Sequence, residues 1–187
     1  MRLPSAETIG LFYAASEAAL GLFKRSGSSD SRLDRSSLRA LWITIVLSVA
    51  AAITVSRVLP QFSSQSLSRL YPFGVGTFVA GLVLRWMAII HLGRFFTVDV
   101  AIAKDHRLVE SGPYRFVRHP AYSGALLAFA GFGICLGNWI SLLALIVPIG
   151  WAFLRRIGIE ESALTRALRE DYAAYARRTR RLVPFVY

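Results

Sequence analysis

The chain has 187 residues, of which 55% are hydrophobic and only 18% are charged, and its formal net charge is +11. A soluble domain usually carries about 25% charged residues, so this composition excludes an ordinary water-soluble globule and favours a membrane protein. The single cysteine, Cys135, excludes disulfide frameworks and zinc sites built from several cysteines. We expect Cys135 to fill the core or to face lipid.

Five apolar segments predict membrane-crossing helices. Residues 5–23 contain Glu7 and Glu17, so this segment either spans the bilayer or lies at its surface as an amphipathic helix. Residues 121–154 carry no charge at all, and the Gly137-Asn138 pair in their middle predicts a tight hairpin of two short helices. We therefore expect one all-α membrane domain over residues 1–187. Its predicted spans are residues 5–23, 40–59, 72–93, 121–137 and 139–155.

The distribution of Lys and Arg residues predicts the orientation of the chain. Residues 24–39, 94–118 and 155–187 hold 5, 5 and 8 of the 22 basic residues. Five spans place all three stretches on one side of the membrane, and basic loops stay on the cytoplasmic side. We therefore expect the N-terminus to be outside and the C-terminus to be in the cytoplasm. The expected membrane is a bacterial inner membrane. Contact with anionic lipid accounts for the positive charge without a nucleic acid.

The segment 104–124 (KDHRLVESGPYRFVRHPAYSG) forms the first candidate site. Gly112-Pro113 predicts a turn. Pro120 suits the first turn of a helix, which places His119 near the N-cap. Such a helix start directs backbone N–H groups and a partial positive charge toward the cytoplasm, where they suit a carboxylate or a phosphate.

Aromatic residues flank this helix start. Tyr114 and Tyr122 offer ring faces to an adenine or to a cation. The alternative is a purely structural one, in which the segment is a capped helix start and Arg115 and Arg118 anchor the chain at the membrane surface.

The helix that leaves the fifth span carries the second candidate site. Glu160 lies at one end of an apolar stripe with helical spacing. The stripe continues through Leu164, Leu168, Tyr172 and Tyr175. Arg156, one turn before Glu160, is its expected partner, either in a surface ion pair worth a few tenths of a kcal/mol or in a functional site. The arginines between 177 and 181 are interpreted as membrane-surface charge.

Arg85 is a charge inside a predicted span, and such charges usually face the bundle or a cavity. We favour an ion pair with Glu17 that holds helices together, and a transport path lined by both residues is the alternative. Gly74, Gly76 and Gly81 resemble a glycine-rich loop only in composition, since no strand precedes them. Close helix packing is the better interpretation.

The ordered motifs of the C-terminal half resemble a known family. They are Gly-Pro-Tyr-x-x-x-Arg-His-Pro-x-Tyr-x-Gly at 112–124, an apolar hairpin, Arg156, Glu160-Glu161, a Tyr-x-x-Tyr and Pro184-Phe185. This combination, over residues 94–185, is similar to the isoprenylcysteine carboxyl methyltransferase family, whose wider group includes phospholipid N-methyltransferases. The resemblance implies an integral membrane enzyme that binds S-adenosylmethionine without a Rossmann fold. The implied pocket lies between the cytoplasmic ends of the last two spans and a C-terminal helix.

The resemblance also assigns roles to individual residues. It implies that Arg156 holds the reacting carboxylate of the substrate and that Glu160 closes the cofactor site, and these two are the expected catalytic residues. The cofactor segments would be residues 97–120 and 156–187. The implied cofactor-binding residues are Asp99, His106, Arg107, Leu108, Val109, Tyr114, His119, Pro120, Ala121, Tyr122 and Glu160. No metal is expected.

The implied reaction is compatible with these residue types. Methyl transfer from a sulfonium to a carboxylate is an in-line displacement that needs positioning and a dry site more than a base. With an amine or a phenol as acceptor, His119 or a tyrosine would take up a proton. The acceptor is expected to be lipophilic or prenylated and to enter from the bilayer. The alternatives are a phospholipid N-methyltransferase, a phenolic-lipid O-methyltransferase, a sterol-reductase-like enzyme with a nicotinamide cofactor, and a small transporter.

Overall fold

The structure is a computed structural model, and it describes residues 3–23, 32–93 and 108–183. Within these ranges the regular structure is helical, and the β-type pairings are isolated bridges. The helices are α1 (Ala6–Phe23), α2 (Arg32–Val58), α3 (Gln65–Arg69), α4 (Tyr71–Leu92), α5 (Pro120–Cys135) and α6 (Trp139–Arg178), with 3-10 turns at Pro60–Phe62 and Gly112–Arg115. The all-α fold predicted from the sequence is confirmed.

The lengths and surfaces of the helices are those of a membrane bundle. Of the described helices, α4, α6 and the stretch Ser36–Val58 of α2 are long and apolar enough to cross a membrane. The helices α1 and α5, of 18 and 16 residues, lie over the other two segments that were expected to span. Large apolar side chains such as Ile43, Val83 and Val147 are 59–63% exposed, an arrangement that is stable when lipid rather than water surrounds the helices.

The contact between α4 and α5 depends on glycines. A Cβ atom at Gly81 would lie 2.6 Å from the Gly124 carbonyl oxygen, and one at Gly131 would lie 2.6 Å from the Gly74 carbonyl oxygen. Without side chains at these positions the two backbones approach closely, as small residues allow in membrane helices. The predicted packing role is confirmed for Gly74 and Gly81. It was wrong for Gly76, whose Cβ position has no neighbour within 4 Å.

The predicted hairpin joins α5 to α6. Gly137 has a positive φ of 67°, and the Asn138 side chain caps α6 by accepting hydrogen bonds from the N–H groups of Ile140 and Ser141. The second arm continues beyond the predicted span into the predicted C-terminal helix, because α6 runs for 40 residues until Arg178, with a backbone break at Arg169. At about 1.5 Å per residue this length is roughly twice the hydrocarbon thickness of a bilayer. The C-terminal part of α6 therefore extends beyond the membrane core.

A buried ion pair attaches α1 to α4. Arg85 Nε lies 2.6 Å from Glu17 Oε1, and Arg85 Nη2 lies 2.8 Å from Glu17 Oε2. Only 12% and 6% of the two side chains are exposed. Trp86 Nε1 donates a second bond between these helices, to Ser16 Oγ at 2.8 Å. The predicted pairing of Arg85 with Glu17 is confirmed.

Candidate active site

Three parts of the chain meet where α5 begins. His119 is the N-cap of α5, Glu160 and Glu161 lie midway along α6, and residues 179–182, here called the C-terminal segment, return to the start of α5. The Arg118 N–H donates to the Arg180 carbonyl at 2.7 Å, and the His119 N–H donates to the Arg181 carbonyl at 3.0 Å. These backbone bonds hold the C-terminal segment against the helix start.

Glu160 is the centre of the first polar cluster. The Tyr122 hydroxyl donates to Glu160 Oε1, and Arg156 Nε donates to the same oxygen at 3.3 Å. His119 Nδ1 lies 3.6 Å from Glu160 Oε2. The Glu160 side chain remains 23% exposed, so its carboxylate is held by protein groups and is still accessible to a ligand.

Glu161 is the centre of a second cluster that faces the C-terminal segment. Arg118 Nε lies 2.8 Å from Glu161 Oε1, and Arg181 Nε lies 2.9 Å from Glu161 Oε2. His119 Nε2 lies 3.4 Å from Glu161 Oε1, so the imidazole stands between the two glutamates. Burial acts to raise the pKa of Glu161, but hydrogen bonds from His119, Arg118 and Arg181 outweigh it and lower this pKa far below its usual range.

Arg156 is almost completely buried, with 2% of its side chain exposed. Besides its bond to Glu160, its Nη1 atom donates to Ser37 Oγ of α2 at 2.5 Å. A buried guanidinium needs such partners, because an unpaired buried charge is costly. The ion pair expected at Arg156 and Glu160 is therefore present, but it is not the weakly held surface pair that was one of the two interpretations.

A cavity of about 600 Å³ lies between α2 and α6, and Arg156 lines it. Its wall combines polar and basic side chains with apolar ones. The residues that line it include Ser37, Leu41, Trp151, Ala152, Arg155 and Arg156. The cavity thus brings an apolar surface and a fixed guanidinium into one space.

Tyr114 lies deeper than its predicted ligand-binding role suggested. It is 7% exposed, its hydroxyl donates to the Ala88 carbonyl at 3.3 Å, and its own carbonyl accepts a bond from Tyr175 at 2.7 Å. Burial raises the pKa of Tyr114. The side chain of Tyr114 thus contacts α4 and its backbone carbonyl contacts the end of α6. A role at the cofactor stays a prediction.

The other predicted cofactor residues divide into three groups. Pro120 and Ala121 are buried in the first turn of α5, where the Ala121 carbonyl accepts a bond from Arg85 Nη1 at 3.1 Å. Leu108 and Val109 are half-buried, and Val109 packs against an apolar cluster that includes Ala121. The remaining three predicted residues, Asp99, His106 and Arg107, lie outside the described residues.

Several hydrogen-bond donors at the predicted anion-binding start of α5 already bond to carbonyl groups of the protein. The N–H groups of Tyr122 and Ser123 donate to the His119 carbonyl at 3.0 and 3.1 Å. The Ser123 hydroxyl donates to the Leu182 carbonyl at 2.6 Å. The first turn of α5 therefore binds the C-terminal segment, and a role in receiving a ligand carboxylate stays a prediction.

The sequence did not predict the contacts of four residues in these clusters. Arg118 was treated as a possible surface anchor, Arg181 as surface charge, and Glu161 as part of a motif only, whereas the three form one ion-paired group. Separate partners for Glu160 and Glu161 were predictable, because neighbouring residues on a helix point about 100° apart. The partner of Ser37 was not predictable from local spacing, because Arg156 is 119 residues away.

These features define an integral membrane protein with an all-α bundle and a polar site where its helices end. Residues 74–166 match the family model described as the isoprenylcysteine carboxyl methyltransferase family. Over this stretch the chain is similar to the family that the resemblance of its motifs implied. The match favours the methyltransferase hypothesis over the sterol-reductase-like and transporter hypotheses.

Individual relatives agree with the family match. Protein-S-isoprenylcysteine O-methyltransferase B of Arabidopsis thaliana is 40% identical over 116 residues, which are 61% of this chain and 59% of that protein. Protein-S-isoprenylcysteine O-methyltransferase of Schizosaccharomyces pombe is 32% identical over 114 residues, which are 60% of this chain and 48% of that protein. The chain thus spans less than two thirds of the length of either relative.

A solved structure also has this fold. The eukaryotic intramembrane Ras methyltransferase, an isoprenylcysteine carboxyl methyltransferase, superposes with a TM-score of 0.71 at 25% sequence identity. The match covers 97% of this chain and 65% of that chain. The predicted membrane bundle is therefore confirmed as the fold of this family. These relatives are eukaryotic, so the expected bacterial inner membrane and the expected orientation stay predictions.

Proposed function

We propose that this protein is an integral membrane methyltransferase that uses S-adenosylmethionine to esterify a carboxylate of a lipophilic, prenylated acceptor. The observation that carries the proposal is the position of Arg156. Its side chain is 2% exposed and is bonded to Glu160. Arg156 also lines a cavity of about 600 Å³ whose wall is partly apolar. The relatives named as protein-S-isoprenylcysteine O-methyltransferases support the same reaction.

The residues around Glu160 fit the proposed cofactor. S-adenosylmethionine presents an ammonium, ribose hydroxyls and an adenine ring, and when bound it supplies a methyl group on a positively charged sulfur. The carboxylate of Glu160, 23% exposed, is suited to accept hydrogen bonds from the ammonium or the ribose. His119 and Tyr122, whose ring centres are 5.9 Å apart, provide polar and aromatic surface beside it.

In this proposal Arg156 binds and orients the acceptor carboxylate. A guanidinium presents parallel N–H groups that match the two oxygens of a carboxylate. Burial strengthens this contact, because water competes less for the charge in a site of low dielectric constant. The nucleophile is already ionised at neutral pH, so the chain needs to supply position and dryness rather than a general base.

The cavity between α2 and α6 is the proposed place for the apolar part of the acceptor. Leu41, Trp151 and Ala152 supply apolar surface to it. Trp151 is 64% exposed. The Cζ atom of Arg155 lies over the Trp151 ring, 6.0 Å from its centroid, and such cation–π pairs suit side chains at a membrane surface. We propose that the acceptor enters from the lipid on this side and that the site faces the cytoplasm, where basic segments remain.

Calorimetric titration of the detergent-purified protein with S-adenosylhomocysteine tests the cofactor site. We expect saturable binding by the wild type and at least about a tenfold weaker affinity for Glu160→Gln, since a hydrogen bond to a charged group is lost. Glu7→Gln is the matched control, because Glu7 is 73% exposed and pairs with Arg57 on α2. A folded wild type that does not bind, or a Glu160→Gln variant that binds like the control, would contradict the proposal.

A further inference from the structure

The contact between Ser37 and Arg156 joins two helices that are far apart in the sequence. Ser37 lies near the start of the described part of α2, and its Oγ atom accepts a bond from Arg156 Nη1 at 2.5 Å across a sequence separation of 119 residues. Both residues line the cavity between α2 and α6. The hydroxyl therefore touches the guanidinium inside the space that the acceptor is proposed to occupy.

Glu160 and Ser37 restrain different motions of the guanidinium. Glu160 is one helical turn after Arg156 and belongs to the same helix, so their bond fixes Arg156 relative to α6 alone. Ser37 belongs to α2, so its bond fixes the guanidinium relative to the opposite wall of the cavity. An arginine side chain has several rotatable bonds, and the two contacts together restrict it in both directions.

We propose that Ser37 is a positioning residue, which holds the Arg156 guanidinium in the orientation that aligns the acceptor carboxylate for methyl transfer. This inference rests on the proposed function. Ser37 lies outside residues 74–166, the stretch that matches the family model. The reaction site is thus completed by a residue from the N-terminal part of the chain. Small losses of alignment at a reacting centre are costly, since a misplacement of about 1 Å lowers a rate by roughly a hundredfold.

Ser37→Ala removes the hydroxyl and leaves the size of the side chain almost unchanged. We expect kcat to fall about tenfold, as for the loss of one hydrogen bond to a charged group, while the KM for S-adenosylmethionine changes by less than about twofold. Ser37→Thr keeps the hydroxyl and should restore kcat to within about threefold of the wild type. Ser56→Ala is the matched control, because Ser56 lies on the same helix and donates to the Ile53 carbonyl at 2.8 Å, within its own helix.

The four proteins are compared by transfer of labelled methyl from S-adenosylmethionine to N-acetyl-S-farnesyl-cysteine, with S-adenosylhomocysteine titrations and thermal midpoints measured in parallel. The proposal is supported if Ser37→Ala loses kcat alone and Ser37→Thr regains it. It is overturned if Ser37→Ala turns over like Ser56→Ala. Equal losses in Ser37→Ala and Ser37→Thr would also overturn it, as would a fall in cofactor affinity or in thermal midpoint that accounts for the slower rate.

Failure of the proposed function gives a different result. A folded wild type that binds S-adenosylhomocysteine but does not methylate the probe refutes carboxyl methylation of a prenylated acceptor, and the role of Ser37 falls with it. A wild type that methylates the probe while Ser37→Ala keeps its full kcat refutes the role of Ser37 alone.

Discussion

Two adjacent glutamates on α6 have separate partners at the scale of single residues. Glu160 accepts hydrogen bonds from Tyr122 and Arg156, whereas Glu161 is paired with Arg118 and Arg181. Arg156 of the first group lines the cavity between α2 and α6, and the second group holds the C-terminal segment. His119 lies between them, with one ring nitrogen toward each carboxylate.

The pairing of Glu161 makes a prediction about acid stability. Because hydrogen bonds lower the pKa of Glu161 in the folded protein, its contribution to stability is complete above its unfolded pKa of about 4.3 and is lost as the pH falls toward the folded pKa. We expect Glu161→Gln to destabilise the protein by about 2 kcal/mol at neutral pH. This difference from the wild type should shrink below about pH 4. Thermal midpoints measured across this pH range check both effects.

Glu170→Gln is the control for this measurement, since Glu170 is exposed and lies further along the same helix. Its thermal midpoint should follow that of the wild type at every pH. A Glu161→Gln variant whose deficit stays constant down to about pH 3 would show that its ionisation does not stabilise the fold.

Sequence reasoning succeeded at this scale where partners are close or where a charge is isolated in an apolar segment. Arg156 and Glu160 are one turn apart. Arg85 is a charge inside an apolar segment, and Glu17 lies in another apolar segment as its possible partner. It failed for Ser37, because a serine near the start of a helix is common and its contact depends on how α2 packs on α6. No local pattern contains that information.

The packing of α4 on α5 dominates at the scale of elements. Glycines spaced by seven residues on each helix place the two backbones against each other, and Gly124 belongs to the motif that contains His119 and Tyr122. A Cβ atom at Gly124 would lie 2.5 Å from the backbone nitrogen of Arg85. The motif glycine therefore fixes the distance between the site-bearing helix and α4.

Gly81→Ala should disrupt this contact. Its new Cβ atom would lie 2.4 Å from the backbone nitrogen of Ala128, and backbone atoms cannot rotate away as a flexible side chain can. We expect a loss of at least about 2 kcal/mol, as for overpacking in a core, measured as a lower thermal midpoint in detergent. Gly76→Ala is the matched control on the same helix. It should be neutral or slightly stabilising, because its Cβ position is open, and equal effects of the two substitutions would contradict the packing explanation.

Hydropathy predicted where the helices lie, but it predicted less well where each helix begins and ends. Long apolar runs separated by charged stretches located five of the described helices, all except the short α3, and Gly137-Asn138 marked the hairpin. The continuation of α6 beyond the fifth span was predicted from the helical spacing of Glu160, Leu164, Leu168, Tyr172 and Tyr175, because the change to charged residues at Arg155 marks the edge of the membrane rather than the end of the helix. The segment after it is rich in Glu, Arg, Ala and Leu, which favour helix. The backbone break in α6 at Arg169, where φ is 46°, was not predictable, because the residue is neither a glycine nor a proline.

At the scale of the whole molecule, the site combines helices whose mutual contacts cannot be predicted from hydropathy alone. The family match covers residues 74–166, which include α4, α5 and most of α6. The Arg85–Glu17 pair attaches α1 to this core, and Arg156–Ser37 attaches α2. Composition and motifs predicted the membrane bundle and the reaction class, whereas the arrangement of α1 and α2 around the core came from the structure.

The most direct test of the proposed reaction is the chemical nature of its product. Purified protein would be incubated with labelled S-adenosylmethionine and N-acetyl-S-farnesyl-cysteine, and the labelled product would be treated with base. A methyl ester releases its methyl group as methanol under these conditions, and a methylated amine does not. Arg156→Lys serves as the site variant, because lysine keeps the charge and loses the paired N–H geometry.

We expect the wild type to form a base-labile product. Arg156→Lys should form it at least about a hundredfold more slowly, while its affinity for S-adenosylhomocysteine stays within about threefold of the wild type. A base-stable product would contradict carboxyl methylation. The absence of product from a folded wild type that binds the cofactor, or undiminished turnover by Arg156→Lys, would contradict the assignment of the site.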